Sequence, residues 1–283
     1  MACPICRTAR PEVFFQKGGM PLLICRACRH VYWQSMPTEA DLIQFYASEY
    51  TDEHGQRPVQ ERLNPYYFEH AKSLARVVGA AERSLAIVDV GCSYPVFLAQ
   101  AKLAGYARVL GVDPSASAAA YGRRVGVDVV PPEGLEDIPD QAFDILRYSH
   151  TLEHMIDPAQ TLRAQIAKLR RGGILHITQP NFPTFRAGYG QDLKDAIWPT
   201  HLHFFNPVSL KIMVENAGGR VIRMFSVEGG EAARDRYGLI LDTEHSRNQC
   251  SELAALSEPT RGEANNFPLY AGENSFLLAV RAT

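Results

Sequence analysis

From residue 61 to residue 227, and again near the C-terminus, apolar residues follow either a strand-like or a helix-like pattern. Short continuous apolar runs are typical of strands buried on both faces, and they predict strands at Leu85–Val90, Arg108–Val112, Val127–Val130, Phe143–Tyr148, Ile174–Thr178, Val221–Val227 and Ser275–Arg281. Apolar residues at helical spacing predict helices at Glu61–Ala80, Pro95–Ala104, Ser115–Arg124, Ala159–Arg170 and Pro207–Ala217. Glycine pairs follow the last two helices and are expected to end them. The alternation predicts an α/β fold with a mostly parallel sheet covered by helices.

Two segments show neither the strand-like nor the helix-like pattern. Residues 37–60 are polar and broken by Gly55 and Pro58, which predicts a short helix and then a mobile connector that folds over a ligand. Residues 228–274 are polar and turn-rich, and form an insertion to which the sequence assigns no role. The chain is thus divided into a cysteine-rich segment (1–36), a helical connector or lid (37–80) and a main domain (81–283).

The cysteine-rich segment carries two Cys-x-x-Cys pairs with 18 residues between them: Cys3, Cys6, Cys25 and Cys28. Each pair can place two thiolates on one tight turn, and two such turns complete a tetrahedral site for structural zinc. Short strands around Val13–Phe15 and Leu22–Ile24, joined at Gly18-Gly19, would complete a small zinc ribbon. A redox dithiol is the alternative interpretation, and the thiol spacing favours zinc over it.

Composition limits the possible partners. The chain has 283 residues, a formal net charge of −2 and 46% hydrophobic residues, which is typical of a globular protein and offers no general attraction for nucleic acid or an anionic membrane. No apolar run reaches the length of a membrane span, and the N-terminus lacks a secretory pattern. We therefore expect a cytoplasmic location, no membrane partner and reduced thiols.

The turn after the first strand of the main domain indicates a nucleoside-bearing ligand. The strand ends at Asp89-Val90-Gly91, and Asp113 ends the next strand, where a carboxylate can accept hydrogen bonds from a ribose. A dinucleotide would need free backbone N–H groups at its pyrophosphate, yet Pro95 has none. S-adenosylmethionine has no phosphate, so the turn favours it over a nicotinamide dinucleotide. Proline is also tolerated where a helix begins.

From about Leu85 to Val227 the sequence resembles the class I S-adenosylmethionine-dependent methyltransferases. The resemblance rests on VDVGCSYPVFLAQAKLAGY, VLGVDPS, FDILRYSHTLEHMIDP and HLHFFNPVSLKIMVENAG. It implies a Rossmann-like sheet whose last strand is antiparallel. A zinc knuckle ahead of such a domain is similar to bacterial methyltransferases of sugar, polysaccharide and natural-product pathways. The sequence departs from the usual first motif, D-x-G-C-G-x-G, at Ser93 and Pro95.

The resemblance also implies which residues hold the cofactor. Asp113 would bind the ribose beside Pro114, and Leu135 and Glu136 would flank the adenine. Ser149 and His150 would close the floor of the cofactor site. The methionine side would be lined by five residues of the turn: Asp89, Gly91, Cys92, Ser93 and Tyr94. We interpret Cys92 as a small residue beneath the turn, not as a nucleophile.

Histidines near the strand ends are candidates for a general base that activates a hydroxyl acceptor. His201 is the first candidate and His150 the second, with His154 third and more easily explained by local hydrogen bonds. For both His201 and His203, a purely structural role as a capped or packed histidine is an alternative of equal weight. The irregular stretch 181–200, with its aromatic residues, would form an acceptor-binding lid.

These observations predict an enzyme that transfers a methyl group from S-adenosylmethionine to a small acceptor. The preferred reaction is O-methylation of a sugar nucleotide or natural-product intermediate. An RNA or protein methyltransferase, with the knuckle as recognition module, is the first alternative, and the lack of basic surplus opposes it. A catalytically inactive binding protein of the same fold is the second.

Overall fold

The computed structural model describes residues 2–8, 11–42, 44–46, 65–182, 200–227 and 274–281. Most of the expected connector (37–60), acceptor-binding lid (181–200) and insertion (228–274) lies outside these residues, namely positions 47–60, 183–199 and 228–273. Within them the chain forms two sheets. The strands are β1 Pro11–Lys17, β2 Met20–Cys25, β3 Val31–Trp33, β4 Ala86–Val90, β5 Arg108–Val112, β6 Asp128–Val130, β7 Phe143–Ser149, β8 Leu169–Pro180, β9 His203–Phe204, β10 Gly219–Val227 and β11 Asn274–Arg281.

The larger sheet has seven strands in the order β10-β11-β8-β7-β4-β5-β6. Strands β8, β7, β4, β5 and β6 pair in parallel, whereas β11 pairs antiparallel with both of its neighbours. This arrangement confirms the predicted Rossmann-like sheet with an antiparallel last strand. Because the parallel strands share one direction, the carboxyl ends of β4, β5 and β7 meet at the same edge of the sheet, where ligands bind in open α/β folds.

In the described part of the chain, six helices accompany the sheet: α1 Pro65–Val78, α2 Val96–Leu103, α3 Ala116–Val125, α4 Pro132–Glu136, α5 Pro158–Gln165 and α6 Pro207–Asn216. Residues 39–42 and 44–46 are also helical, where the sequence predicted a short helix. Capping residues and glycine define the ends of these helices. The Ser115 side chain caps α3 by accepting from the Ala118 N–H, and Gly126 ends that helix at φ 71°. Asn206 and Ser209 form a reciprocal capping box at the start of α6.

One predicted helix is wrong at its C-terminal end. Ala159–Arg170 was expected to be helical, but α5 stops at Gln165, a short 3-10 turn covers Ile166–Lys168, and β8 begins at Leu169. Leu169 is fully buried and pairs with Phe143 across the sheet. The pairing then skips to Ile174, so the glycine pair lies in an irregular part of the strand. Tertiary pairing overrides the helical spacing here because burial in the sheet outweighs a weak local preference.

The cysteine-rich segment is joined to the main domain. Strands β1, β2, β3 and β9 form the second sheet, in that order, so it combines residues that precede the seven-stranded sheet with residues that lie between β8 and β10 in sequence. Strands β1 and β2 turn at Gly18-Gly19, both at positive φ, as predicted. The paired strands β3 and β9 were not predicted, because three and two residues are too short to show a period. No helix in the described part of the chain is long and apolar enough to cross a membrane.

Candidate functional site: a cofactor cavity at the strand ends

The turn after β4 is tightly constrained. Gly91 has φ 71°, and its N–H donates to the Val112 carbonyl at 2.8 Å. A Cβ at this position would lie 2.3 Å from Thr151 Cγ2, so only glycine fits. Thr151 is held in turn, because its hydroxyl donates to the Val90 and Ser149 carbonyls at 3.1 and 3.2 Å. The two turns that follow β4 and β7 therefore pack directly against each other.

Asp113 connects the turn after β4 to the end of β5. Its Oδ2 accepts from the Ser93 N–H at 2.8 Å, and its Oδ1 accepts from the Ser115 N–H at 2.9 Å. Burial raises the pKa of this carboxyl, whereas the two backbone N–H groups oppose the rise. Each oxygen keeps a second lone pair, so Asp113 retains acceptor capacity for a ligand.

Proline at position 95 is compatible with the turn. It has φ −75° and immediately precedes α2, and its carbonyl accepts from the Ala99 N–H at 2.9 Å. The neighbouring Tyr94 ring packs edge-on against Tyr121, with 5.4 Å between the ring centroids. The proline therefore starts the helix without disturbing it, as expected for a residue that lacks an N–H.

A cavity of about 430 Å³ opens beside this turn, within the size range of small-molecule sites. Seven of the residues predicted for the cofactor line it: Asp89, Gly91, Cys92, Ser93, Tyr94, Ser149 and His150. Asp113, Pro114, Leu135 and Glu136 do not line it, and Leu135 is buried inside the protein. Four lining residues were not predicted: Tyr67, Val96, Phe97 and Arg147.

Arg147 is the most important of the four. It lies on β7 opposite Asp89 on β4, and its Nη1 donates to Asp89 Oδ2 at 2.7 Å. Both side chains are buried, and the guanidinium stacks on the Phe97 ring at 4.1 Å. The sequence contained a signal for this ion pair: a single arginine lies within the apolar run of β7, and a buried charge requires a partner. Burial raises the pKa of Asp89 although Arg147 opposes the rise, and Asp89 Oδ1 has no hydrogen-bond partner among the described residues.

Cys92 is a packing residue, as the sequence suggested. A Cβ on Gly111 would lie 2.7 Å from Cys92 Sγ, so the thiol fills the space above β5. Burial raises the pKa of this thiol far above its ordinary value. It therefore stays protonated at neutral pH and is not a nucleophile.

The three histidines predicted as bases lie at different distances from the cavity. His150 lines the cavity, is half-exposed, and has φ 53° directly after β7. His154 and His201 do not line it, and their rings contact each other at 4.7 Å between centroids. Burial lowers the pKa of His201 to about 4, which makes it a weaker base than an ordinary histidine.

Glu153 lies among these three histidines. Burial favours its neutral form, but a contact with His150 and the nearby His154 and His201 hold the pKa of the carboxyl below its usual value. His150 Nδ1 lies 3.6 Å from Glu153 Oε1, an ion-pair distance longer than a hydrogen bond. The sequence analysis predicted no role for Glu153, although this residue directly precedes the candidate base His154 in Leu152-Glu153-His154.

His203 belongs to the packed interior between the two sheets. Its Nδ1 lies 3.0 Å from His30 Nε2, and both rings are buried. Asn206 donates to the Cys28 carbonyl at 3.1 Å, and Trp33 donates to the His201 carbonyl at 2.9 Å. The cysteine-rich segment thus holds residues 201–206 in place.

The four cysteines predicted to bind metal are close together. Cys3 Sγ lies 3.7 Å from Cys28 Sγ, and Cys6 Sγ lies 3.5 Å from Cys25 Sγ. All four sulfurs lie within 4.8 Å of one another. Thiolates around a tetrahedral zinc ion, at about 2.3 Å from the metal, are separated by about 3.8 Å. The residues therefore fit a structural zinc ion.

Comparison with known proteins decides the family. Residues 59–223, more than half of the chain, match the family described as "Methyltransferase domain". The chain belongs to this family. The matched region contains the turn after β4, the cavity and the sequence around Glu153, so the site described above is that of a class I S-adenosylmethionine-dependent methyltransferase.

Similar proteins agree with this assignment. A ubiquinone biosynthesis O-methyltransferase of Hydrogenovibrio crunogenus is 23% identical over 197 residues, which cover 64% of this chain and 79% of that protein. The solved structure of an S-adenosylmethionine-dependent methyltransferase from Archaeoglobus fulgidus has a TM-score of 0.52 at 21% identity, covering 76% of this chain and 94% of that one. Magnesium protoporphyrin IX methyltransferase from Synechocystis, solved with bound S-adenosylhomocysteine, has a TM-score of 0.54 at 12% identity, covering 87% and 100%.

The cavity of this methyltransferase suits the cofactor chemically. S-adenosylmethionine carries an ammonium group, and Asp89 Oδ1, a buried oxygen without a hydrogen-bond partner among the described residues, is an acceptor of the kind that such a group requires. The cofactor has no phosphate, so the missing N–H of Pro95 removes nothing that it needs. Methyl transfer from a sulfonium is an in-line displacement, and the protein's main task is to align the two reactants.

Proposed function

We propose that this methyltransferase transfers the methyl group to an oxygen of a small polar acceptor, a sugar nucleotide or a natural-product intermediate, with His150 as general base. The main observation is that His150 is the half-exposed base that lines the cofactor cavity at the end of β7. A base must lie within reach of the proton that it removes, which supports His150 over His201. His201, the first candidate from the sequence, does not line the cavity and has a pKa of about 4.

Three further considerations support a small acceptor. The net charge of −2 gives no electrostatic attraction for RNA. The cavity volume is that of a small-molecule site. The similar protein of Hydrogenovibrio crunogenus is named as an O-methyltransferase of ubiquinone biosynthesis, which is a small-molecule pathway. We also propose that Asp113 binds the ribose, that Glu136 flanks the adenine, and that one zinc ion occupies the four cysteines. The side chain of Leu135, which the sequence also suggested for the adenine, is buried away from the cavity and is not part of this proposal.

Calorimetry with S-adenosylmethionine, followed by a panel of hydroxyl acceptors, tests the proposal. We expect cofactor binding by the wild type. In His150→Asn we expect a loss of about 10²–10⁴-fold in kcat, far larger than any loss of cofactor affinity from the changed cavity wall. The wild-type rate should fall as the pH is lowered, and this fall should disappear in that variant. Absence of cofactor binding would contradict the proposal and favour a non-catalytic binding protein. Activity on RNA that falls steeply with salt would contradict the small acceptor.

A further inference from the structure

We propose that Glu153, His154 and His201 bind a divalent transition-metal ion. One carboxylate oxygen and one ring nitrogen from each histidine lie within 4.8 Å of one another. Glu153 and His154 come from the short turn after β7, whereas His201 comes from the segment before β9. This cluster is separate from the four cysteines and is not among the residues that line the cofactor cavity.

The Glu153 side chain indicates that a cation is required. It is 2% exposed, and neither of its oxygens has a hydrogen-bond partner among the described residues. The nearest nitrogen of a base is His150 Nδ1, at 3.6 Å from Oε1. A buried carboxylate without hydrogen bonds loses its hydration, and the neighbouring imidazoles offset this loss only through space. A metal ion supplies both the opposite charge and direct ligation of the oxygen.

His154 is held in a state that can bind a metal. Its Nδ1 lies 2.9 Å from the Thr200 carbonyl and 2.8 Å from the Tyr46 hydroxyl. The tautomer with the hydrogen on Nδ1 donates to the Thr200 carbonyl, which can only accept, and it leaves the lone pair of Nε2 available for a metal. Metal-binding histidines commonly donate the other ring N–H to a carbonyl in this way.

The backbone places His201 beside the other two residues. Its carbonyl accepts from Trp33 Nε1 at 2.9 Å, and the next residue, Leu202, donates its N–H to the Glu153 carbonyl at 2.7 Å. The position of His201 is therefore fixed from both sides. His154 and His201 are only partly buried, which leaves room for their side chains to move.

Two imidazoles and one carboxylate favour zinc or a similar transition metal, because magnesium and calcium prefer sites made entirely of oxygen ligands. Ligand atoms around tetrahedral zinc lie about 3.4 Å apart, so the widest pair must close by up to about 1.4 Å when the ion binds. A fourth position is then available for water or for an acceptor oxygen, whose pKa the ion would lower. Only this last role depends on the proposed methyl transfer.

Calorimetry on full-length protein whose cysteine site is loaded with zinc tests the proposal. We expect Co²⁺ and Zn²⁺ each to bind at one further equivalent. Glu153→Gln and His201→Asn should each weaken this binding by more than about 100-fold, beyond the 10–100-fold typical of residues that only support a ligand. Glu215→Gln is the matched control, because it removes an exposed carboxylate from α6 and should leave the second equivalent unchanged.

The spectrum of bound Co²⁺ gives a second measurement that needs no variant. Nitrogen and oxygen ligands should give visible bands without sulfur-to-cobalt charge transfer. The proposal is overturned if no further equivalent binds, if that cobalt shows sulfur ligation, or if both folded variants keep full affinity. Near-ultraviolet circular dichroism establishes that the variants are folded, and if they are not, the wild-type stoichiometry and spectrum decide. None of these measurements involves methyl transfer, so the two proposals can fail separately.

Discussion

Replacing Gly91 with alanine tests the packing that shapes the cofactor turn. An alanine at φ 71° adopts a left-handed conformation that costs about 1–2 kcal/mol, offset by about 0.4–1 kcal/mol because alanine restricts the unfolded chain. The new Cβ would also lie 2.3 Å from Thr151 Cγ2, and overpacking of this kind costs about 1–3 kcal/mol more. We therefore expect a total loss of about 2–4 kcal/mol in the free energy of unfolding.

Gly79→Ala is the matched control. Gly79 has φ +74°, nearly the same backbone conformation, and its added Cβ would have no atom within 4 Å. This variant should lose only the conformational part, about 1 kcal/mol. Urea unfolding measures both losses, and calorimetry measures S-adenosylmethionine affinity, which should fall in Gly91→Ala and stay unchanged in Gly79→Ala.

A second substitution separates the clash from backbone strain. Thr151→Ala removes both atoms nearest to the new Cβ, so Gly91→Ala should cost less in the Thr151→Ala background than in the wild type. Equal losses for Gly91→Ala and Gly79→Ala would refute the reasoning, since the contact with Thr151 would then contribute nothing.

Three other measurements examine the rest of the structure. Arg147→Met should lower the free energy of unfolding by about 3–5 kcal/mol because it leaves Asp89 buried and unpaired, and adding Asp89→Asn should restore part of the loss; a double variant as unstable as the single one in urea would contradict this. Removing zinc with a chelator, or substituting Cys3→Ser, should lower the Tm of the whole chain, because the segment shares a sheet with β9; an unchanged Tm after complete zinc loss would exclude a structural ion. Burial holds the pKa of His70 and His176 well below 6.5, so the unfolded chain binds more protons below that pH and stability falls as the pH drops from 6.5. His176→Asn should reduce this slope by about 1.4 kcal/mol per pH unit in urea unfolding between pH 6 and 5, and an unaltered slope would show that the residue is not buried neutral.

Local patterns predicted most of the fold. The strands of the main sheet are continuous apolar runs, and the helices have capping residues and terminal glycines, so neighbouring residues carry the necessary information. The exceptions were the short strands β3 and β9 and the end of α5, where Leu169 pairs with Phe143 in the sheet and the helix ends early. That pairing joins residues far apart in sequence, and no local pattern reports it.

Some residues of the candidate site could be predicted from the sequence and others could not. The positions of Gly91, Asp113 and His150 were predictable, because each lies at the end of a single strand, whereas their roles toward the cofactor remain predictions. Asp89 was expected on the methionine side, but its pairing with Arg147 was not, since the two residues are 58 positions apart and meet only through the register of β4 and β7.

The amino-acid sequence by itself determined the α/β class, the cofactor turn and the four thiols, because each follows from a local hydrophobic pattern or a fixed residue spacing. Only the tertiary structure decided that the cysteine-rich segment shares a sheet with β9, and that Glu153, His154 and His201 meet in one cluster. These contacts depend on how distant segments pack. A buried charge or histidine in a sequence shows that a partner is needed, whereas the fold alone determines which partner is within reach.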